Sequence, residues 1–136
     1  MTLMPPPSGA SDQTSPQQRV LVVDDNADSA DLLELFLRRA GHDARAAATA
    51  RAALAVAPDF RPHVALIDIG LPDMDGYTLT NRLRAMPELR ECRFIAVTGH
   101  TSHSAIARSI AAGFEAHLSK PVNVDDVLNL IARSNP

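Results

Sequence analysis

Five short apolar runs alternate with five stretches of helical periodicity, at a spacing of about 20–27 residues. No other feature constrains the fold as much. "RVLVVDD" (19–25), "DARAAATA" (43–50), "HVALID" (63–68), "RFIAVTG" (93–99) and "EAHLSK" (115–120) read as strands, the second being the weakest. Between the first two, Ala30, Leu33, Phe36, Leu37 and Ala40 recur at helical spacing; Arg38 and Arg39 fill the last turn and Gly41 follows as the C′ residue. Thr49 is placed to cap a helix over 50–57 that Pro58 stops. Asp75 is placed to cap another over 76–86, before Pro87. Ser102 precedes a helix of about 103–112 that Gly113 ends. Asn123 opens the last, 123–134, where Val124, Val127, Leu128 and Ile131 line one face. Strict alternation predicts an α/β fold: a parallel sheet covered by helices on both faces, with right-handed crossovers.

The chain of 136 residues is one domain long, and at 46% hydrophobic it can bury a core without staples. Residues 1–18, rich in Pro, Ser and Gln, read as a flexible tail or linker, which leaves 19–134 as the domain. A net charge of -3 gives no basic footprint for nucleic acid. No run approaches the roughly 18 apolar residues of a membrane span. The N-terminus lacks the basic and apolar regions of a signal peptide. The single Cys92 excludes an internal disulfide framework and fits a reducing compartment, so the cytoplasm is the expected location.

Polar residues sit at the C-terminal ends of the predicted strands: Asp24 and Asp25, Asp68, Thr98, then Ser119 and Lys120 before Pro121. In an open parallel sheet those ends share one edge, and that edge holds the ligand crevice. Three carboxylates converging there repel one another unless a cation lies among them, and an all-oxygen set suits Mg2+ better than zinc. Carboxylates, Mg2+, an ammonium and a hydroxyl are the parts that handle a phosphoryl group. Asp68, ending the third and central strand, is the candidate nucleophile for an aspartyl phosphate.

"VVDDN", "LIDIGLPDMDGYTL", "IAVTG" and "HLSKPV", in this order, make the chain resemble the receiver domain of two-component response regulators over about 19–134. The wording is most similar to receivers at the C-terminal end of hybrid sensor histidine kinases, for which 1–18 would be an interdomain linker; Met1 fits a natural start instead. The resemblance implies a flavodoxin-like strand order of 2-1-3-4-5 and phosphorylation of Asp68 by a partner phosphohistidine. That partner would be a histidine kinase or a histidine phosphotransfer protein. Asp25, Asp68 and the backbone carbonyl of Gly70 would contact Mg2+, with Asp24 acting mostly through water. Lys120 would pair with Asp68, Thr98 would bond the phosphoryl group, and the Lys120–Pro121 bond would be cis. The output would be a conformational shift read by a downstream protein, with no direct nucleic-acid or membrane contact and no independent metabolite turned over.

Three positions depart from the family pattern. His117 stands where many receivers carry Tyr or Phe; it is either a half-exposed strand residue or a replacement for that aromatic switch, sensitive to pH near neutrality. Gly70 has no side chain to position water, and His100 is either solvated or orders a water. Asp73 and Asp75 read as helix caps, and Cys92 as a small strand-edge residue. Arg38, Arg39, Arg82, Arg84 and Arg90 read as solvated charges, and Leu32, Leu33 and Phe36 as core or partner-facing. Two other functions compete: a Mg2+-dependent phosphohydrolase, which lacks the second acid close after the nucleophile, and a degenerate receiver that binds a protein without being phosphorylated.

Overall fold

The computed structural model describes residues 17–99 and 103–133, the side chains of 103–106 excepted. The strands are β1 Arg19–Val23, β2 Asp43–Ala47, β3 Val64–Asp68, β4 Arg93–Thr98 and β5 Ala116–Ser119. Between and after them come α1 Ala27–Arg39, α2 Ala50–Phe60, α3 Gly76–Arg84, α4 His103–Ala111 and α5 Val124–Ala132, with a short 3-10 turn at Pro87–Leu89. The sheet is parallel throughout, in the order β2-β1-β3-β4-β5. Each strand stops one to three residues inside its predicted C-terminal end, save β3.

The strands read as continuous apolar runs because both faces are buried. Val20, Val22, Val64, Leu66, Ile95 and Val97 point to the side carrying α1 and α5, where they meet Ala30, Leu37, Val127 and Ile131. Their neighbours Leu21, Val23, Ala65, Ile67, Phe94 and Ala96 pack on the other side against Ala53, Ala57 and Phe60 of α2 and Leu79 and Leu83 of α3. Small Ala residues let α2 lie close to the sheet, which offsets the lack of aromatics.

Thr49, Asp75 and Asn123 cap α2, α3 and α5 as expected, accepting from Ala52 N at 3.0 Å, Thr78 N at 2.9 Å and Asp125 N at 2.8 Å. Asn26 caps α1 in the same way through Ser29 N, 3.0 Å. Gly41 and Gly113, at φ +100° and +98°, close α1 and α4 in a conformation open to glycine. The cap assigned to Ser102 lies outside the described residues.

The helices expected over 76–86, 103–112 and 123–134 end one or two residues earlier, and two further boundaries differ for reasons that lie in distant contacts. Pro58 does not stop α2, which runs on to Phe60. In the last turn a proline forfeits a single backbone bond, while the buried Phe60 anchors the end and Arg61 N donates to Ala57 O at 2.8 Å. Gln18, grouped with the tail by composition, is only 7% exposed. Its backbone N–H donates to His42 Nδ1 and its side chain to Ile131 O, which pins it between the ends of α1 and α5.

Candidate functional site

Parallel register places the strand ends side by side: Val23 is opposite Ile67, Asp68 opposite Val97, and Thr98 opposite Ser119. The chain therefore delivers Asp24, Asp68, Thr98 and Lys120 to one edge although 96 residues separate the first from the last. Oxygens of Asp24, Asp25 and Asp68 all lie within 4.8 Å of one another. Lys120 Nζ stands 2.9 Å from Asp68 Oδ2 and 3.6 Å from Asp24 Oδ1. Asp68 is 5% exposed, Asp24 8% and Thr98 7%, whereas Asp25 is exposed.

The two buried carboxylates are held by local backbone. Asn26 N donates to Asp24 Oδ1 at 2.9 Å, and Gly70 N to Asp68 Oδ1 at 3.0 Å. Burial pushes the Asp24 carboxyl above its ordinary value; the Asn26 bond and the Lys120 charge oppose this, and the neighbouring Asp68 adds to it. Burial also acts to lower Lys120, but its hydrogen bond to Asp68 and the charges of Asp68, Asp24 and Asp25 outweigh that and hold the ammonium above its usual range. One ammonium thus faces three carboxylates. A hard cation with oxygen ligands is the group that completes this charge balance, so these residues fit Mg2+.

The loop after Asp68 is fixed at both ends. Asp75 caps α3, but Asp73 reaches across the sequence: its two carboxylate oxygens accept from Ala50 N at 3.0 Å and Arg51 N at 3.1 Å, at the start of α2. Gly76 N donates to Ile69 O, and a Cβ on Gly76 would stand 2.8 Å from Ile69 Cα and 3.0 Å from Asp68 O. Gly76 is therefore required by close backbone approach, not by its dihedral. Gly76→Ala should push the 68–69 backbone aside and destabilise the fold by about 1–3 kcal/mol; urea unfolding of the two chains measures it, and an unchanged midpoint would refute the crowding argument. By contrast, a Cβ on Gly70 would meet only Asp68 Oδ1, at 3.9 Å. The space beside the carboxylate is open there.

The Lys120–Pro121 bond is cis, as expected. His117 is half-buried on β5, opposite Ala96, and its Nε2 is buried without a hydrogen-bond partner. His100 lies outside the described residues. Arg38 and Arg84 are more than solvated charges: Arg38 donates to Ala44 O at 3.0 Å, and Arg84 donates to Ala112 O while lying over the Phe94 ring. Cys92 is half-buried, and burial pushes its thiol up to about 12, which keeps it unreactive.

The family model described as "Response regulator receiver domain" matches residues 20–132. The chain belongs to this family. Among curated receivers it is similar to the polar-differentiation response regulator DivK of Brucella anthropi, 31% identical over 112 residues, which are 82% of this chain and 91% of DivK. It spans about half, 46–48%, of the transcriptional regulators it also matches. Among solved receivers, a CheY-like domain from Methanospirillum hungatei superposes with a TM-score of 0.77 at 34% identity, covering 85% of this chain and 91% of that one. A response regulator from Burkholderia pseudomallei, described with a phosphorylated aspartic acid and a calcium ion, superposes at 0.77 and 27% identity, over 88% of this chain and 68% of that one. Among the described residues no helix of this receiver is long and apolar enough to cross a membrane.

Proposed function

We propose that this receiver domain is a phosphorylation-dependent switch in a two-component or phosphorelay system, with Asp68 as its phosphoacceptor. The observation that carries the reading is the acidic triad with Lys120 Nζ at 2.9 Å from Asp68. Asp25, Asp68 and the Gly70 carbonyl would hold Mg2+, with Asp24 acting mostly through water, and the ion would neutralise charge on the phosphoryl oxygens. An Asp68 carboxylate oxygen attacks phosphorus, the P–N bond of the donor phosphohistidine breaks, and the imidazole leaves with the bonding pair. Lys120 moves from the carboxylate to the incoming oxygens, and Thr98, at the end of β4, donates its hydroxyl to one of them. The chain thereby catalyses only its own phosphorylation and dephosphorylation.

The donor is a histidine kinase or histidine phosphotransfer protein. It docks on α1, where Leu32 and Phe36 are exposed beside the site. The phosphoryl group shifts an equilibrium between two arrangements of β4 and β5, and a downstream protein reads the difference. The cytoplasm is the setting this chemistry fits. Intact mass after incubation with a small acyl phosphate tests the reading. One phosphoryl group should be gained, dependent on Mg2+ and absent in Asp68→Ala. No gain, with no Mg2+ binding, would support the degenerate binding module instead.

A further inference from the structure

The first turn of α2 is tied twice. Thr49 Oγ1 accepts from Ala52 N at 3.0 Å, an ordinary N-cap. Asp73 serves the two amides before it, Ala50 N at 3.0 Å and Arg51 N at 3.1 Å, from a loop 23 and 22 residues further along the chain. These two bonds hold the Asp73 carboxyl below its ordinary value, so it stays ionised and accepts strongly. Thr49 already gives the turn its cap, and at the exposed Arg51 water would serve the amide. What the second tie alone does is fix where the loop lies relative to α2.

That loop leaves β3 at Asp68 and passes through Gly70. The Gly70 N–H is set by its bond to Asp68 Oδ1, 3.0 Å. Its carbonyl belongs to the peptide unit shared with Leu71, so its direction is set from the other side. Gly70 adds little restraint of its own: a Cβ there would meet only Asp68 Oδ1, at 3.9 Å, and a residue without Cβ turns freely. The restraint comes from the next three residues. Leu71 is buried in the core that α2 and α3 cover. Pro72 fixes its own φ and biases Leu71 towards extended backbone. Asp73 then ends this stiff run on the start of α2.

We propose that Asp73 is a positioning residue for the metal site: by clamping the loop to the first turn of α2, it aims the Gly70 carbonyl at a cation held beside Asp68. The proposal rests on the Mg2+ reading given above. The coupling runs both ways, because a clamp that favours the cation is favoured by it to the same degree. Since α2 packs on the sheet face opposite α1 and α5, that face would also register whether the site is filled.

The test is a titration with Mg2+ alone, followed by 1H–15N spectra, on wild type, Asp73→Ala and Thr49→Ala. Thr49→Ala weakens the same turn but leaves the loop contact in place, so it separates loss of helix from loss of the clamp. Asp73→Ala should raise the Mg2+ dissociation constant about tenfold, the low end for a residue that orients a metal ligand without touching the metal. Thr49→Ala should leave that constant unchanged. In the wild type, saturating Mg2+ should slow hydrogen exchange at the Ala50 and Arg51 amides by a similar factor, and the slowing should vanish in Asp73→Ala. Equal Mg2+ affinity in wild type and Asp73→Ala would overturn the proposal and leave Asp73 as a cap of α2. An equal loss in both variants would overturn it too, tracing the effect to the helix. A wild type that binds no Mg2+ would remove the metal reading and the proposal with it, a result distinct from either of the others.

Discussion

Mg2+ at about a hundred times its dissociation constant should raise the stability of the wild-type chain by about 2.7 kcal/mol, and Asp24→Asn should remove most of that gain. The same substitution should make the metal-free chain more stable than wild type. The two effects share one cause. Asp24 is nearly buried, and burial, together with Asp68 beside it, raises its pKa against the pull of Asn26 N and Lys120. A raised carboxyl favours the folded state most at low pH; that contribution is complete below the ordinary value near 3.8 and is lost as pH rises through the folded value. At neutral pH without metal, the Asp24 charge is therefore a cost that the fold carries. Asparagine keeps an oxygen for the Asn26 N–H and drops the charge. A divalent cation held as proposed would relieve the same repulsion in the wild type, and would lose the Asp24 charge in the variant. Urea unfolding at pH 7 of both chains, with and without Mg2+, measures all four stabilities. A metal-free variant less stable than wild type, or an unchanged Mg2+ increment, would reject the account.

The fold was legible where the deciding physics is local or periodic. Apolar runs such as "VALID" announce strands buried on both faces, and Thr49, Asp75 and Asn123 announce caps because an N-cap acts within three residues of itself. Polar residues at strand ends exposed the site, since parallel strands end on one edge whatever the details of packing. What stayed hidden depends on contacts between distant segments. Asp73 is a cap, as expected, but of α2, which begins 23 residues earlier in the chain. Gly76 looks like a turn residue in "MDG", yet its constraint comes from the Ile69 backbone pressing on it. Pro58 follows a sound local rule that the buried Phe60 overrides. His42 and His63 carried no signal at all, because their work is to accept hydrogen bonds from Gln18 and Arg19, which precede them by 24 and 44 residues.

Those two histidines should make the fold acid-sensitive in a way that Phe at one position exposes. β2 and β3 flank β1, and the residue before each is a histidine whose Nδ1 accepts a β1-side amide: Gln18 N at 3.1 Å for His42, Arg19 N at 2.8 Å for His63. Nδ1 accepts only when it carries no proton, so both rings are bound in the neutral form with the proton on Nε2. Burial pushes the His42 pKa down, and burial followed by the Arg19 charge pushes His63 down. The unfolded chain therefore binds protons first. The stability these rings contribute is whole above the ordinary value of 6.5 and is lost as pH falls through the folded values. His42→Phe keeps a ring and leaves the Gln18 amide without its acceptor, which at pH 7.5 should destabilise by about 1–3 kcal/mol. Below the ordinary value of 6.5 the unfolded wild type gains a proton that the folded ring resists, so the gap between the two chains should narrow towards pH 5. Because Asp24 titrates alike in both, its opposite dependence cancels in the difference. Urea unfolding of wild type and His42→Phe from pH 7.5 to pH 5 provides the measurement. A gap that stays constant across that range would mean that the imidazole fills space at the head of β1 without bonding it.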